Sequence, residues 1–140
     1  MTVSIRRYEP ADETQVIALW QDAGLTRPWN DPHKDIARAR AVWPDLLLVA
    51  EEHQEVVGSV MAGYDGHRGW LYYLATAGHR RGEGIGRALV AEAEALLEAL
   101  GCPKVMLMVR ADNDAVLEYY DALGYQRETT RVTGRRLIPD

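Results

Sequence analysis

A glycine-rich turn between an apolar run and a long helical pattern constrains the fold of this chain more than any other feature. The turn reads His79-Arg80-Arg81-Gly82-Glu83-Gly84-Ile85-Gly86-Arg87, and it follows a predicted strand at 70–75. Its glycines allow the backbone to approach a ligand closely and to adopt dihedral angles that other residues avoid. The helix that begins there runs to about residue 100, and its first N–H groups are unpaired and carry a partial positive charge. The turn therefore predicts a phosphate-binding site.

The charges around this turn favour an anionic ligand. Arg80, Arg81 and Arg87 are balanced only by Glu83, although the whole chain has a formal net charge of −5. A cation at a helix start opposes the dipole at a cost of about 0.3–1 kcal/mol, whereas a bound polyphosphate converts it into a charge-assisted donor. The alternative is a solvated helix start with surface arginines.

Comparison with known phosphate-binding loops reduces the number of possible ligand classes. The chain has no G-x-x-x-x-G-K-[ST] run, and a dinucleotide fingerprint fails because Arg87 or Leu89 stands where its third glycine belongs. The pattern that fits is R-x-x-G-x-G, formed by Arg81, Gly84 and Gly86. It resembles the pyrophosphate loop of the GNAT acetyltransferases, which bind acetyl-coenzyme A (acetyl-CoA).

A second motif strengthens the resemblance. The run Asn113-x-Ala115-x-x-x-x-Tyr120-x-x-x-Gly124-Tyr125 is similar to the family's N-x-A-x-x-x-x-Y-x-x-x-G-[FY] helix. A narrower block, residues 27–32 together with 63–69, resembles the small bacterial acetyltransferases of the YpeA type. The two broader motifs make a chance match improbable.

The order of elements agrees with that family. Apolar periodicity and turn residues predict strands at 3–6, 46–51, 56–64, 70–75, 104–109 and 126–137, and helices at 11–23, 32–42, 85–100 and 114–123. The resulting order, β-α-α-β-β-β-α-β-α-β, is the GNAT order. We therefore expect an α/β protein with a mixed sheet and splayed central parallel strands, folded as a single N-acetyltransferase domain over 1–140.

Composition excludes several other classes. The chain has 140 residues, enough for one domain with a core. Its net charge of −5 argues against nucleic-acid binding. The single cysteine excludes an internal disulfide, and the charged N-terminal stretch lacks an apolar signal core. We expect a cytoplasmic protein with no membrane partner and no metal, and a homodimer is possible.

The resemblance implies a set of site residues. The backbone of Leu74, Ala75 and Thr76 would pair with the pantetheine, and the Leu74 N–H would polarise the thioester carbonyl. The pyrophosphate would lie on the loop Arg81, Gly82, Glu83, Gly84, Ile85, Gly86 and Arg87. Asn113 would contact the cofactor, and Tyr120 would bind it and act as general acid, with Tyr119 as the rival phenol.

Three positions depart from the family pattern, which usually has valine, proline and often an aromatic residue where this chain has Thr76, Gly78 and Arg80. We expect Thr76 and Gly78 to loosen the loop slightly without removing hydrogen-bond donors. Arg80 is expected to add positive charge near the phosphates.

The general base stays open at the level of sequence, because strand 70–75 contains no carboxylate. Its candidates lie at a strand end, in a turn or near the first helices: Glu51, Glu52, Asp65, His67, Asp31 and Asp35. Each is also a reasonable cap, turn residue or surface charge, and a water-relayed carboxylate is equally plausible. Aromatic residues that could line the acceptor side are Tyr64, Tyr72, Tyr73 and Trp29.

These residues predict an acetyl-CoA-dependent N-acetyltransferase that acts on a primary amine, either a small molecule or a peptide or protein amine. Cys102 follows a helix C-terminus, where the dipole disfavours a thiolate, so direct attack in a ternary complex is expected rather than an acyl-enzyme. The alternative is a non-catalytic GNAT module that senses acyl-CoA.

Overall fold

A five-stranded mixed sheet forms the centre of the structure, a computed structural model that describes residues 2–140. Its strands follow chain order: β1 (Ser4–Arg7), β2 (Leu47–Glu52), β3 (Glu55–Tyr64), β4 (Gly69–Thr76) and β5 (Val105–Leu107). The first four pair antiparallel, and β5 pairs parallel with β4. A two-residue turn with positive φ at His53 and Gln54 joins β2 to β3.

Four helices accompany the sheet: α1 (Glu13–Asp22), α2 (Pro32–Val42), α3 (Ile85–Ala99) and α4 (Asp114–Ala122). The predicted start of α2 is confirmed, because Asp31 accepts a hydrogen bond from the His33 N–H and Pro32 occupies the first turn. A short 3₁₀ turn at Pro10–Asp12 precedes α1. None of the helices within residues 2–140 combines the length and apolar character needed to span a membrane.

The chain divides into two compact units, one ending at Leu107 and the other running from Met108 to Asp140. The first holds the sheet and α1–α3, and the second holds α4. The expectation of a single domain over 1–140 stays a prediction.

Two helical layers cover opposite faces of the sheet in the first unit, and adjacent residues of β3 show this. The Ser59 hydroxyl accepts a hydrogen bond from Trp20 of α1 at 2.8 Å. A Cβ added at its neighbour Gly58 would instead lie 2.8 Å from Ile85 Cγ2 and 2.9 Å from Leu89 Cδ1, both on α3. Since successive strand residues face opposite sides, α1 and α3 flank the sheet.

Two predicted strands differ from the structure. Residues 126–137 form no strand, because Val132 and Leu137 are the stretch's only large apolar side chains and both are exposed, so no apolar face holds them against a sheet. The strand predicted at 104–109 is confirmed only as Val105–Leu107. Its residues are half-buried, and β5 is an edge strand that pairs with β4 alone.

Gly58 allows α3 to pack directly on β3, and this gives a test of the fold. We expect Gly58→Ala to destabilise the protein by about 1–3 kcal/mol, because the new methyl group overpacks the contact with α3. Gly63→Ala on the same strand is the matched control: its added Cβ would lie 3.8 Å from Trp43, an ordinary contact. Urea unfolding of both variants measures the difference, and equal midpoints would contradict the close-packing argument.

Candidate active site

The glycine-rich loop leads directly into α3, and two of its glycines adopt backbone angles that favour glycine. Gly82 has φ +84° and Gly84 has φ +82°, and Gly84 is the N-cap of α3. No atom lies within 4 Å of a Cβ built at either position. These two glycines are therefore required by conformation, and the space beside them is open. Gly86 lies in the first turn of the helix without such a φ.

The arginines of this loop fall into two groups. The Arg80 guanidinium contacts the Glu52 carboxylate at 2.9 Å and the Glu83 carboxylate at 2.8 Å. The hydrogen bond from Arg80 holds the pKa of Glu83 below its usual value. Two carboxylates therefore offset the positive charge that Arg80 was expected to add near the phosphates. Within residues 2–140, Arg81 and Arg87 are exposed and form no ion pair with the protein.

A β-bulge interrupts β4 shortly before this loop. Ser59 pairs with Ala75 and Met61 pairs with Tyr72, so β4 has one more residue than β3 over this interval. Tyr73 lies in the bulge with φ +53°, a conformation that is uncommon for a bulky side chain. The bulge changes which face of the sheet the following side chains occupy. Leu71 pairs with Ala62 and Ala75 pairs with Ser59, and these two partners lie on opposite faces of β3. In a regular strand, residues four apart would lie on the same face.

The bulge coincides with the end of the parallel pairing. The register between β4 and β5 covers only Gly69–Leu71 against Val105–Leu107. Leu74 thus has no register partner in either neighbouring strand of the described sheet. The structure places the predicted pantetheine-binding segment, Leu74 to Thr76, in the half of β4 that β5 does not cover.

The second unit contains the other predicted site residues. Asn113 caps α4, and its side-chain oxygen accepts a hydrogen bond from the Val116 N–H at 3.3 Å. Tyr120 is buried and packs edge-to-face against Tyr119 and Tyr125, with ring centroids 5.4 and 5.5 Å away. Burial raises the pKa of the Tyr120 phenol well above its usual value. Tyr119, the rival phenol, is exposed.

Comparison with known proteins identifies the family. The sequence profile of the Acetyltransferase (GNAT) family matches residues 14–125. The chain belongs to the GNAT acetyltransferase family. It is 50% identical to an acetyltransferase of Sodalis glossinidius over 139 residues, which is 99% of this chain and 98% of the relative. It is 51% identical to an acetyltransferase of Pectobacterium atrosepticum over 138 residues, covering 99% and 98% of the two chains.

A solved structure supports the same fold. The protein resembles a chain of the NatC complex bound to Gag peptide and CoA, with a TM-score of 0.77 and 24% identity over 92% of this chain and 87% of the other. The mixed sheet and the GNAT fold expected from the sequence are therefore confirmed, as is the expectation of an acetyltransferase.

Most candidate bases already have structural partners in this GNAT fold. Arg6 binds Glu51, Arg80 binds Glu52, and Asp31 caps α2. The Asp65 carboxylate accepts hydrogen bonds from the backbone N–H groups of Arg68 and His67, which lower its pKa and make it a weaker base. His67 lies in this same exposed turn. Asp35 also has partners, since it accepts a hydrogen bond from the Tyr73 hydroxyl at 2.6 Å and lies 3.7 Å from the Arg38 guanidinium. Through Tyr73 it contacts the bulge.

The aromatic residues expected on the acceptor side have different environments. Tyr73 is half-buried and stacks on Trp20, with ring centroids 3.8 Å apart. Tyr72 and Trp29 are 42% and 53% exposed, so both are accessible to a ligand. The Tyr64 hydroxyl donates a hydrogen bond to the Gly66 carbonyl at 3.3 Å, within the turn before β4.

Sequence reasoning missed Ser59 and Trp20, which contact the bulge. Ser59 is fully buried and donates a hydrogen bond to the Tyr73 carbonyl at 2.9 Å. One signal was present in the sequence, because Ser59 lies within the apolar run Val56–Ala62. A serine in a buried strand requires a hydrogen-bond partner for its hydroxyl.

Substitution of the neighbouring residues Arg80 and Arg81 tests whether Arg80 anchors the loop to β2. Arg80→Met should lower the melting temperature, because it leaves the Glu52 carboxylate without its partner. Arg81→Met should leave the melting temperature of the ligand-free protein unchanged, because Arg81 has no ion pair to lose. Differential scanning calorimetry compares the two variants with wild type, and an equal loss in both would show that Arg80 does not anchor the loop.

Proposed function

We propose that this GNAT protein transfers an acetyl group from acetyl-CoA to a primary amine by direct attack in a ternary complex. Two features that are adjacent in the sequence and in the fold carry the proposal. One is the uncovered half of β4, and the other is the loop that follows it, where Arg81 and Arg87 lack protein partners. A ligand with an extended amide chain and a pyrophosphate matches both features.

The loop suits the pyrophosphate on electrostatic grounds. Gly82 and Gly84 lead into α3, whose first N–H groups lack intrahelical partners and whose dipole favours an anion. Arg81 and Arg87 add charge that no carboxylate offsets, while Arg80 keeps the loop attached to β2 through Glu52. In this arrangement Glu83 binds Arg80 and thus leaves the other two arginines available for phosphate.

The reaction requires bond changes and proton transfers, and the chain offers groups for them. The acceptor nitrogen attacks the acetyl carbonyl carbon, the C–S bond breaks, and the amide forms. The Leu74 N–H would stabilise the oxyanion, a type of contact worth about 2.7–4 kcal/mol. Tyr120 would donate a proton to the departing thiolate, and the acceptor nitrogen would lose its proton to a base.

Asp35 is the candidate base that we favour, directly or through a water molecule. Among the candidate carboxylates, Asp35 contacts the bulge residue Tyr73, and it also pairs with the Arg38 guanidinium at 3.7 Å. A carboxylate near the acceptor also favours a cationic ligand, which is why we propose a primary amine.

Ligand-dependent stabilisation tests the cofactor. Acetyl-CoA or CoA at about a hundred times its dissociation constant should stabilise the protein by roughly 2.7 kcal/mol, and NAD and ATP should not match this effect. Arg81→Ala should reduce the increase in melting temperature, and Arg135→Ala, at an exposed arginine outside the loop, serves as the control. No stabilisation by acetyl-CoA or CoA would overturn the proposal.

The general acid is tested by Tyr120→Phe with Tyr119→Phe as its matched control. Release of the CoA thiol is followed with a panel of amino sugars, polyamines and peptides as acceptors. We expect Tyr120→Phe to lower kcat by about 10²–10⁴ while acetyl-CoA binding is retained, and Tyr119→Phe to keep kcat within about threefold. Unchanged turnover in Tyr120→Phe would remove Tyr120 from the mechanism.

The pH profile gives the same test a second readout. Because burial raises the pKa of Tyr120, its phenol keeps its proton to a higher pH than a free tyrosine does. Turnover should therefore show no decline from ionisation of Tyr120 below about pH 10. A decline near neutral pH that disappears in Tyr120→Phe would contradict this assignment.

A further inference from the structure

Ser59 is the centre of a buried hydrogen-bonded chain that the proposed reaction does not yet use. The Trp20 indole N–H donates to the Ser59 hydroxyl oxygen at 2.8 Å, and the Ser59 O–H donates to the Tyr73 carbonyl at 2.9 Å. Because the oxygen already accepts from Trp20, the hydroxyl proton is directed to the Tyr73 carbonyl. Apart from Asp12, Ser59 is the only polar or charged residue classed as buried within residues 2–140.

The carbonyl that Ser59 binds belongs to the peptide group between Tyr73 and Leu74. That group is planar and trans, so its C=O and its N–H point in opposite directions. A hydrogen bond that fixes the Tyr73 carbonyl on the Ser59 side therefore directs the Leu74 N–H away from Ser59 and β3. This N–H is the donor proposed for the thioester carbonyl.

The bulge needs such a restraint because its backbone is irregular. Neither Tyr73 nor Leu74 has a register partner in β3, and Tyr73 has φ +53°. The Tyr73 side chain is held by stacking on Trp20, with ring planes 12° apart, and by the Asp35 carboxylate. Those two contacts fix the ring, whereas the Ser59 hydroxyl contacts the peptide plane itself.

We propose that Ser59 is a positioning residue that aims the Leu74 N–H at the acetyl carbonyl of bound acetyl-CoA. The inference rests on the proposed function, since it gives the Leu74 N–H the role of oxyanion donor. Without the hydroxyl, the peptide plane can rotate, and the donor loses the orientation on which its effect depends.

The experiment uses the full chain labelled with ¹⁵N-leucine and titrated with acetyl-CoA and, separately, with CoA. In wild type, the Leu74 amide proton should shift further downfield with acetyl-CoA than with CoA, because only acetyl-CoA has the thioester carbonyl. In Ser59→Ala, this difference should be lost. The matched control is Val49→Ala: Val49 pairs with Ser59 across β2 and β3, and its truncation removes buried apolar atoms but no hydrogen-bonding group.

Kinetics supply the second readout. Ser59→Ala should lower kcat by about tenfold to a hundredfold, while the Kd of acetyl-CoA changes by less than about threefold. Val49→Ala, chosen for a similar loss of melting temperature, should retain the kcat of wild type. If Ser59→Ala does not fold, Ser59→Cys replaces it, because its thiol is a weaker donor and should give a smaller loss of kcat and of the Leu74 shift difference.

The outcomes separate this inference from the proposed function. If neither ligand shifts any leucine amide and neither changes the melting temperature, acetyl-CoA does not bind, and both proposals are overturned. If acetyl-CoA binds but the Leu74 shift difference persists in Ser59→Ala, or Val49→Ala loses as much kcat as Ser59→Ala, Ser59 has only a structural role. With Ser59→Cys as the test variant, wild-type kcat and wild-type shifts overturn the positioning role.

Discussion

The close approach of α3 to β3 at Gly58 is the contact on which the position of the glycine-rich loop depends. Ile85 and Leu89 lie in the first turns of α3, and their side chains occupy the space that a Cβ at Gly58 would fill. The N-terminus of α3 is thereby anchored to the central strand of the sheet. Since the glycine-rich loop ends at this helix start, a packing contact in the core determines where the first N–H groups of α3 lie.

Charge in the loop is arranged by pairing as much as by residue type. Three arginines lie close together in the sequence, yet their contacts in the structure differ. Arg80 binds Glu52 and Glu83 and attaches the loop to the end of β2, while Arg81 and Arg87 stay exposed. A count of charges therefore overstates the free positive potential, because one of the three arginines is compensated within the protein.

Local signals predicted the elements well, and long-range packing explains what they missed. The Asp31-Pro32 pair predicted the start of α2, since a cap followed by proline begins a helix, and Pro44 predicted its end. The motif around Gly84 likewise located the start of α3. The bulge at Tyr73 was not predictable, because its positive φ is held by Ser59 and Asp35, which are distant in sequence. The strand at 126–137 was expected as a last, polar edge strand, and the structure does not form it.

The extra residue in β4 has opposite effects on the stability of the sheet and on the proposed function. A β4 shorter by one residue within the bulge could continue its ladder with β3 without interruption, and no residue would need the positive φ of Tyr73. Such a chain would gain regular pairing, but Ala75 and Thr76 would exchange faces and the irregular peptide at Leu74 would be lost. Efforts to make this protein more robust by regularising its sheet would therefore remove the irregular peptide on which the proposed function depends.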